Sequence, residues 1–194
     1  MNADPTRHLG DADWEVLHEL RLRGLVAFDD PRHGRLVELD LVAQRGAMVA
    51  LTGLGRDVHV GWARYDEGSP AQIAAKALFE AFEPLNQELL VVCSSWQVRT
   101  GGVPNDHSDA AYDWEVIGRL ERFHERSAPR VRRLARDAAR FGAYDVRLRH
   151  ALRNVVDEGA TEWFTSPRVD SYHTVWNQLH EDLLLALGIP RTTS

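Results

Sequence analysis

Asp66-Glu-Gly-Ser-Pro70 divides this chain in two. Two acids, a glycine, a hydroxyl and a proline in five positions make a turn, and the sequence reads differently on its two sides. Downstream, apolar residues recur at helical spacing, predicting helices over 71–99, 109–126, 128–141, 144–157 and 171–187. Ser127-Ala-Pro129 places a hydroxyl at an N-cap and proline in the first turn that follows. Ser108 or Asp109 caps the preceding helix, Gly142 and Gly159 follow helix ends, and Gly188 precedes Pro190. Pro84 predicts a kink or break within 71–99. Upstream, Asp11 or Asp13 caps a helix running to Arg23, with Trp14, Leu17 and Leu20 on one face and Gly24 as its stop. An amphipathic helix over 35–45 closes at Gly46, Ala47–Thr52 is apolar and β-compatible, and a third helix covers 57–64. The expected fold class is mostly α, with a small module over 1–66 followed by a helical bundle over 71–190.

Bulk properties bound the function. The 194 residues are 44% hydrophobic and 27% charged, enough for one good core and a soluble surface. No apolar run approaches the ~18–20 residues that span a bilayer, and the first residues lack the apolar stretch of a signal peptide. No membrane partner and a cytoplasmic location are therefore expected. The single cysteine, Cys93, lies in Leu89-Leu-Val-Val-Cys93 and reads as a buried core thiol. Charge is uneven within a net of -6: residues 66–118 carry nine acids against two bases, whereas 127–153 carry eight arginines against two aspartates. Those arginines, like His124 and His150 near them, read as a solvated face. Trp163-Phe164 anchors a loop, and Trp14 belongs to the core or a dimer contact.

The order helix, turn, helix, short strand, Leu-Thr-x-x-Gly-Arg, helix resembles a winged-helix DNA-binding module. Leu41-Val-Ala-Gln-Arg-Gly-Ala-Met-Val-Ala-Leu-Thr-Gly-Leu-Gly-Arg56 is similar to the end of that module in MarR-like transcriptional regulators. The module is reduced, because only residues 25–34 remain where a further helix would stand. Residues 76–190 resemble the helical C-terminal domain of a group of MarR-type bacterial regulators, some found alongside pyruvate phosphate dikinase-like proteins. The likeness rests on Leu85-Asn-x-x-Leu-Leu90, Trp96-Gln97, Asn105-Asp-His-x-Asp109, Tyr112-Asp113, Ser171-Tyr-His-x-Val-Trp176 and Leu179-His-Glu-Asp-Leu183. The resemblance implies a transcriptional regulator with a sensing domain. DNA would be met by Arg32, Arg35, Arg45 and Arg56, and a palindromic site would call for a homodimer.

Two polar-aromatic runs, 94–113 and 170–182, carry the candidate site. Asp109 and Asp113 are four apart and share a helix face with Tyr112 beside them. His173, Trp176, Asn177 and His180 fall at i, i+3, i+4 and i+7 on the last helix. Three readings stand. Asp109 or Asp113 pairs with His173 or His180 in a lattice that fixes helix register. Alternatively Trp96, Tyr112 and Trp176 wall a pocket for a small-molecule effector, with Gln97, Asn105, Asp106, His107, Asp109, Asp113, His173 and His180 converging on it. The third is a metal site, although His173 and His180 lie ~10.5 Å apart along a helix and no i, i+4 histidine pair exists. The residues name no ligand and no cofactor. A non-DNA-binding protein that controls a partner enzyme, and a small acid–base or metal-dependent enzyme, are the alternatives to a regulator. No nucleophile elbow, phosphate loop, dinucleotide fingerprint or zinc signature is present.

Overall fold

The computed structural model describes residues 5–190. Helices make up 69% of it, beside small antiparallel sheets, so the fold is mostly α. The chain resolves into two compact units: one runs to Tyr65 and takes up the chain again from Leu184, and the other spans Asp66–Leu183. Residues from Leu184 onward, which the sequence groups with the helical bundle, thus belong to the first unit. There the Tyr65 amide donates to the Ala186 carbonyl at 2.9 Å.

The first unit runs α1 (Asp11–Arg23), β1 (Val26–Ala27), α2 (Arg32–Glu38), β2 (Val42–Arg45), β3 (Met48–Leu51) and α3 (Gly53–Ala63). Its sheet has the order β1-β3-β2, all antiparallel, with Arg45 paired to Met48 across a tight turn and Val42 to Leu51 at the far end. Val16, Leu17, Leu20, Leu36, Leu41, Val42, Val49 and Leu51 form one apolar core between sheet and helices. Burying each of the larger ones stabilises the unit by about 1.5–3 kcal/mol. Gly10 rather than an aspartate caps α1, and the Asp13 carboxylate instead accepts the Gly10 amide at 3.0 Å.

The expected helix over 35–45 is helical only over 35–38. Asp40 adopts left-handed φ of 58°, the Leu41 amide donates to the Leu36 carbonyl, and the Asp40 amide donates to Val37. This is a Schellman closure with aspartate in the place usually held by glycine. It ends the helix early and releases Val42–Arg45 into the sheet. The third helix begins earlier than expected, because the Thr52 hydroxyl accepts the Gly55 amide at 2.9 Å and donates to the Asp40 carbonyl at 2.6 Å. Gly55 is required at that point: a Cβ there would stand 2.0 Å from the Leu41 carbonyl oxygen.

In the second unit α4 (Pro70–Gln97) and α5 (Ala110–Asp137) are 28 residues each, joined by the small hairpin β4 (Val98–Arg99) and β5 (Val103–Pro104). They are followed by α6 (Gly142–Val156), α7 (Glu162–Thr165) and α8 (Tyr172–Leu187). Ser69 caps α4 by accepting the Gln72 amide, and Asp109 caps α5 by accepting the Tyr112 amide. Neither proline breaks its helix: α4 continues through Pro84, and the helices expected over 109–126 and 128–141 are joined as far as Asp137. Each proline lies on an exposed face, as does the residue four before it, Glu80 or Glu125. The carbonyl that each ring leaves without an amide therefore meets water. Burial of Ser127 and Ala128 before the second proline, and of Val131 and Leu134 after it, holds α5 on course. Gly142 both follows the 3-10 turn Ala139–Phe141 and opens α6, and Gly159 and Gly188 follow their helices in left-handed conformation.

Candidate functional site

The first polar run folds into a clasp where α4 turns back into α5. Trp96, on the last turn of α4, is buried and stacks on Phe164 from α7 with ring centres 4.4 Å apart. His107 covers its other side at 4.4 Å. Asn105 donates from its side-chain amide to the Trp96 carbonyl at 3.1 Å and to Asp113 Oδ1 at 2.8 Å. The other Asp113 oxygen lies 3.0 Å from His107 Nδ1. His107 reaches it from left-handed backbone, φ 59°. Asp106 accepts the amide and hydroxyl of Ser108, which hold its carboxyl below the usual range. Asp109 is lowered too, by the Tyr112 amide first and then by Arg99, whose guanidinium donates to it at 2.6 Å. Arg99 lies over the Tyr112 ring, the Tyr112 hydroxyl donates to the Ser95 carbonyl at 2.8 Å, and the Gln97 amide reaches the Thr165 hydroxyl at 3.4 Å.

The second run lies elsewhere. Trp176, fully buried on α8, donates from its indole to Asn86 Oδ1 at 3.2 Å and stacks on Phe82. His180 stacks on the same phenylalanine at 4.5 Å, and His173 lies beside Asn177 at 3.2 Å. Burial lowers the His173 pKa. Asn86 and Trp96 are ten residues apart on one helix, roughly 15 Å along its axis. Asp109 and Asp113 are thus engaged by Arg99 and His107, not by His173 or His180. The expected convergence of the two runs is corrected by packing: α8 crosses the middle of α4, and α7 meets its end. The clasp's polar groups bond mainly to one another. The adjoining groove of 430 Å³ is lined by Leu90, Val91, Ser95, Val98, Arg99 and their neighbours, and of the predicted residues Tyr112 alone lines it. Among the described residues no three His, Cys, Asp or Glu side chains are placed to hold a metal ion.

Sequence reasoning missed the charged network of α6 and α8. Asp182 is fully buried, 3.0 Å from Arg140, and accepts the Tyr144 hydroxyl at 3.1 Å. Burial, with Asp182 beside it, pushes the Tyr144 phenol well up. Arg147 donates to Asp170 and to Gln178, and Asp145 bridges Arg132 and Arg149. His124, expected on the surface, is buried with Nδ1 3.0 Å from the Tyr172 hydroxyl, because it sits four residues after Leu120 and seven before Val131 on the buried face of α5. Its pKa is lowered, chiefly by desolvation. The signal available was Asp170 just before α8 and Asp182 within it, with Arg140 and Arg147 in the arginine-rich stretch upstream.

In the first unit, two of the four predicted arginines are paired with carboxylates. Arg32 holds Asp30 through two donors at 2.8 and 2.5 Å and lowers its carboxyl to about 2. Arg35 is engaged by Asp13 and the His8 carbonyl, and Arg56 donates to the Leu51 carbonyl at 2.9 Å. Arg45 is exposed at the hairpin turn. Trp14 stacks on Trp62 at 5.3 Å, next to His18 and His59, whose ring nitrogens are 3.0 Å apart. Among the described residues no helix is long and apolar enough to cross a membrane. No protein family, curated protein or solved structure matches this chain.

Proposed function

We propose that this protein is a cytoplasmic transcriptional regulator that acts as a homodimer, with the first unit contacting DNA and the helical unit responding to a small-molecule effector. The observation that carries the reading is the arrangement of the first unit. Helix, strand, helix, hairpin and helix follow one another around an antiparallel sheet ordered β1-β3-β2, with Arg45 at the hairpin turn. That is the order of a winged helix shortened by one helix, with the hairpin as its wing. Arg45 and Arg56 are exposed and can reach phosphates, whereas Arg32 and Arg35 are paired with the carboxylates of Asp30 and Asp13. The test is fluorescence anisotropy of duplex DNA flanking the gene, measured across a salt series. Binding is expected at low salt, with a log–log salt slope that falls by about 0.9 for each phosphate-contacting arginine replaced. Arg45→Ala should reduce the slope by about that amount. Absence of binding at low salt would remove the DNA claim.

One observation favours a second reading, a protein that controls a partner without touching DNA. The acid–arginine pairs at Asp30–Arg32 and Asp13–Arg35 cancel half of the predicted basic residues. Under this reading the anisotropy signal is absent while the folded protein still forms a stable complex with a partner protein.

A further inference from the structure

The clasp at Trp96 is self-satisfied, yet the opposite end of the same helix pair is open. Where α4 begins it contributes Ala74 and Ala77, small side chains that leave a gap beside the Arg130 and Arg133 turn of α5. The gap is a slot of 500 Å³. Leu78 and Leu134, both buried, form its inner walls, and Ile73 lies 58% exposed at its edge. Pro70 and Leu78 mark its ends on α4, eight residues or roughly 12 Å of helix. An apolar slot of this size with few polar groups is the usual form of a small-molecule site.

The polar groups are two guanidiniums and one carboxylate. Arg130 and Arg133 line the slot from α5, with Asp137 one turn further on. Arg130 spends one donor on the Arg126 carbonyl at 2.8 Å. Arg133 makes no hydrogen bond or ion pair with a described residue. Two forked donors beside an apolar trough recognise a planar carboxylate carrying an apolar tail. Asp137 disfavours a second negative group at its end, which selects for a monoanion.

We infer that this slot binds an amphipathic monocarboxylate, its head on Arg130 and Arg133 and its tail along Ala74 and Ala77. The inference rests on the regulator reading only for what the ligand would regulate; the slot lies within the second unit and its occupancy is read in a separate assay. The experiment is calorimetric titration of the full chain with straight-chain carboxylates from butanoate to decanoate, with octanol as a neutral match for octanoate. Affinity should rise about fourfold per methylene until the slot is filled. Octanoate should bind at least tenfold tighter than octanol. Arg130→Gln with Arg133→Gln should abolish that advantage while leaving the chain-length dependence. Ala74→Phe should fill the slot and eliminate binding, with circular dichroism confirming a folded chain. Absence of saturable octanoate binding, equal affinity for octanol, or full binding by the Ala74→Phe variant would each overturn the proposal. So would a dimer that Ile73→Asp converts to monomer in sedimentation, since a second copy would then occupy the groove.

Discussion

The clasp around Trp96 and the network around α8 have similar compositions and opposite construction. In the clasp, most polar partners are near neighbours in sequence: Asp106 with Ser108, His107 and Asn105 with Asp113, Arg99 with Asp109. Around α8 the partners are distant: Tyr144 with Asp182, Arg147 with Gln178, His124 with Tyr172, Trp176 with Asn86. The clasp fixes the geometry of one turn and remains partly wet. The α8 network ties α8 to α4, α5 and α6, and its members Tyr144, Tyr172, Trp176 and Asp182 are buried. Polar residues therefore do two different jobs here, local closure and long-range registration, and burial separates them better than residue type.

That contrast can be broken by mutation. Asp182→Ala, which leaves Arg140 buried without its carboxylate, should destabilise the second unit by about 3–5 kcal/mol in urea unfolding. Trp176→Ala should cost a similar amount, about 3–5 kcal/mol, through the cavity it opens. Asp113→Ala should cost only about 1–2 kcal/mol, since its bonds to Asn105 and His107 are partly solvated. Equal losses at Asp113 and Asp182 would erase the distinction. Asp109→Ala should cost about 1 kcal/mol through the missing N-cap of α5, and Asp109→Asn should restore most of it.

Acid sharpens the same contrast more gently. His124 and His173 have folded-state pKa values below the ordinary imidazole value of 6.5. The unfolded chain therefore binds protons first on acidification. Their contribution is complete above pH 6.5 and is lost as pH falls through the lowered folded values, with a slope of at most about 1.4 kcal/mol per pH unit for each group. Unfolding measured from pH 7.5 to 5 should show that decline, and His124→Gln should flatten it. Cys93 gives the smallest effect: burial pushes its thiol up to about 12, so thiol reagents should label it only as the protein unfolds.

Much of the fold was legible. Helical periodicity located α4, α6 and α8, and Asp109 was readable as a cap because its side chain serves the backbone three residues on. What stayed hidden depended on context. Asp40 ends α2 by adopting a conformation usually left to glycine, so the periodicity runs seven residues past the helix end. Pro129 looked like a start because its cost depends on whether the orphaned carbonyl at Glu125 faces water. The two polar runs looked like one site because composition cannot say which turn of α4 each neighbour meets. His124 stands among charged neighbours in the sequence yet faces inward, because it sits four residues after Leu120 on the buried face of α5.

The interrupted first unit has a consequence for how the protein is made. Its chain leaves at Tyr65 and returns only at Leu184, about 120 residues later. At ribosomal rates of roughly 5–20 residues per second, that interval is on the order of ten seconds. The part synthesised first is thus the part completed last, and Tyr65 waits with its backbone amide unclaimed by Ala186 until the final helix emerges. A nascent chain stalled before Leu184 should expose its N-terminal portion to protease in a way the finished protein does not.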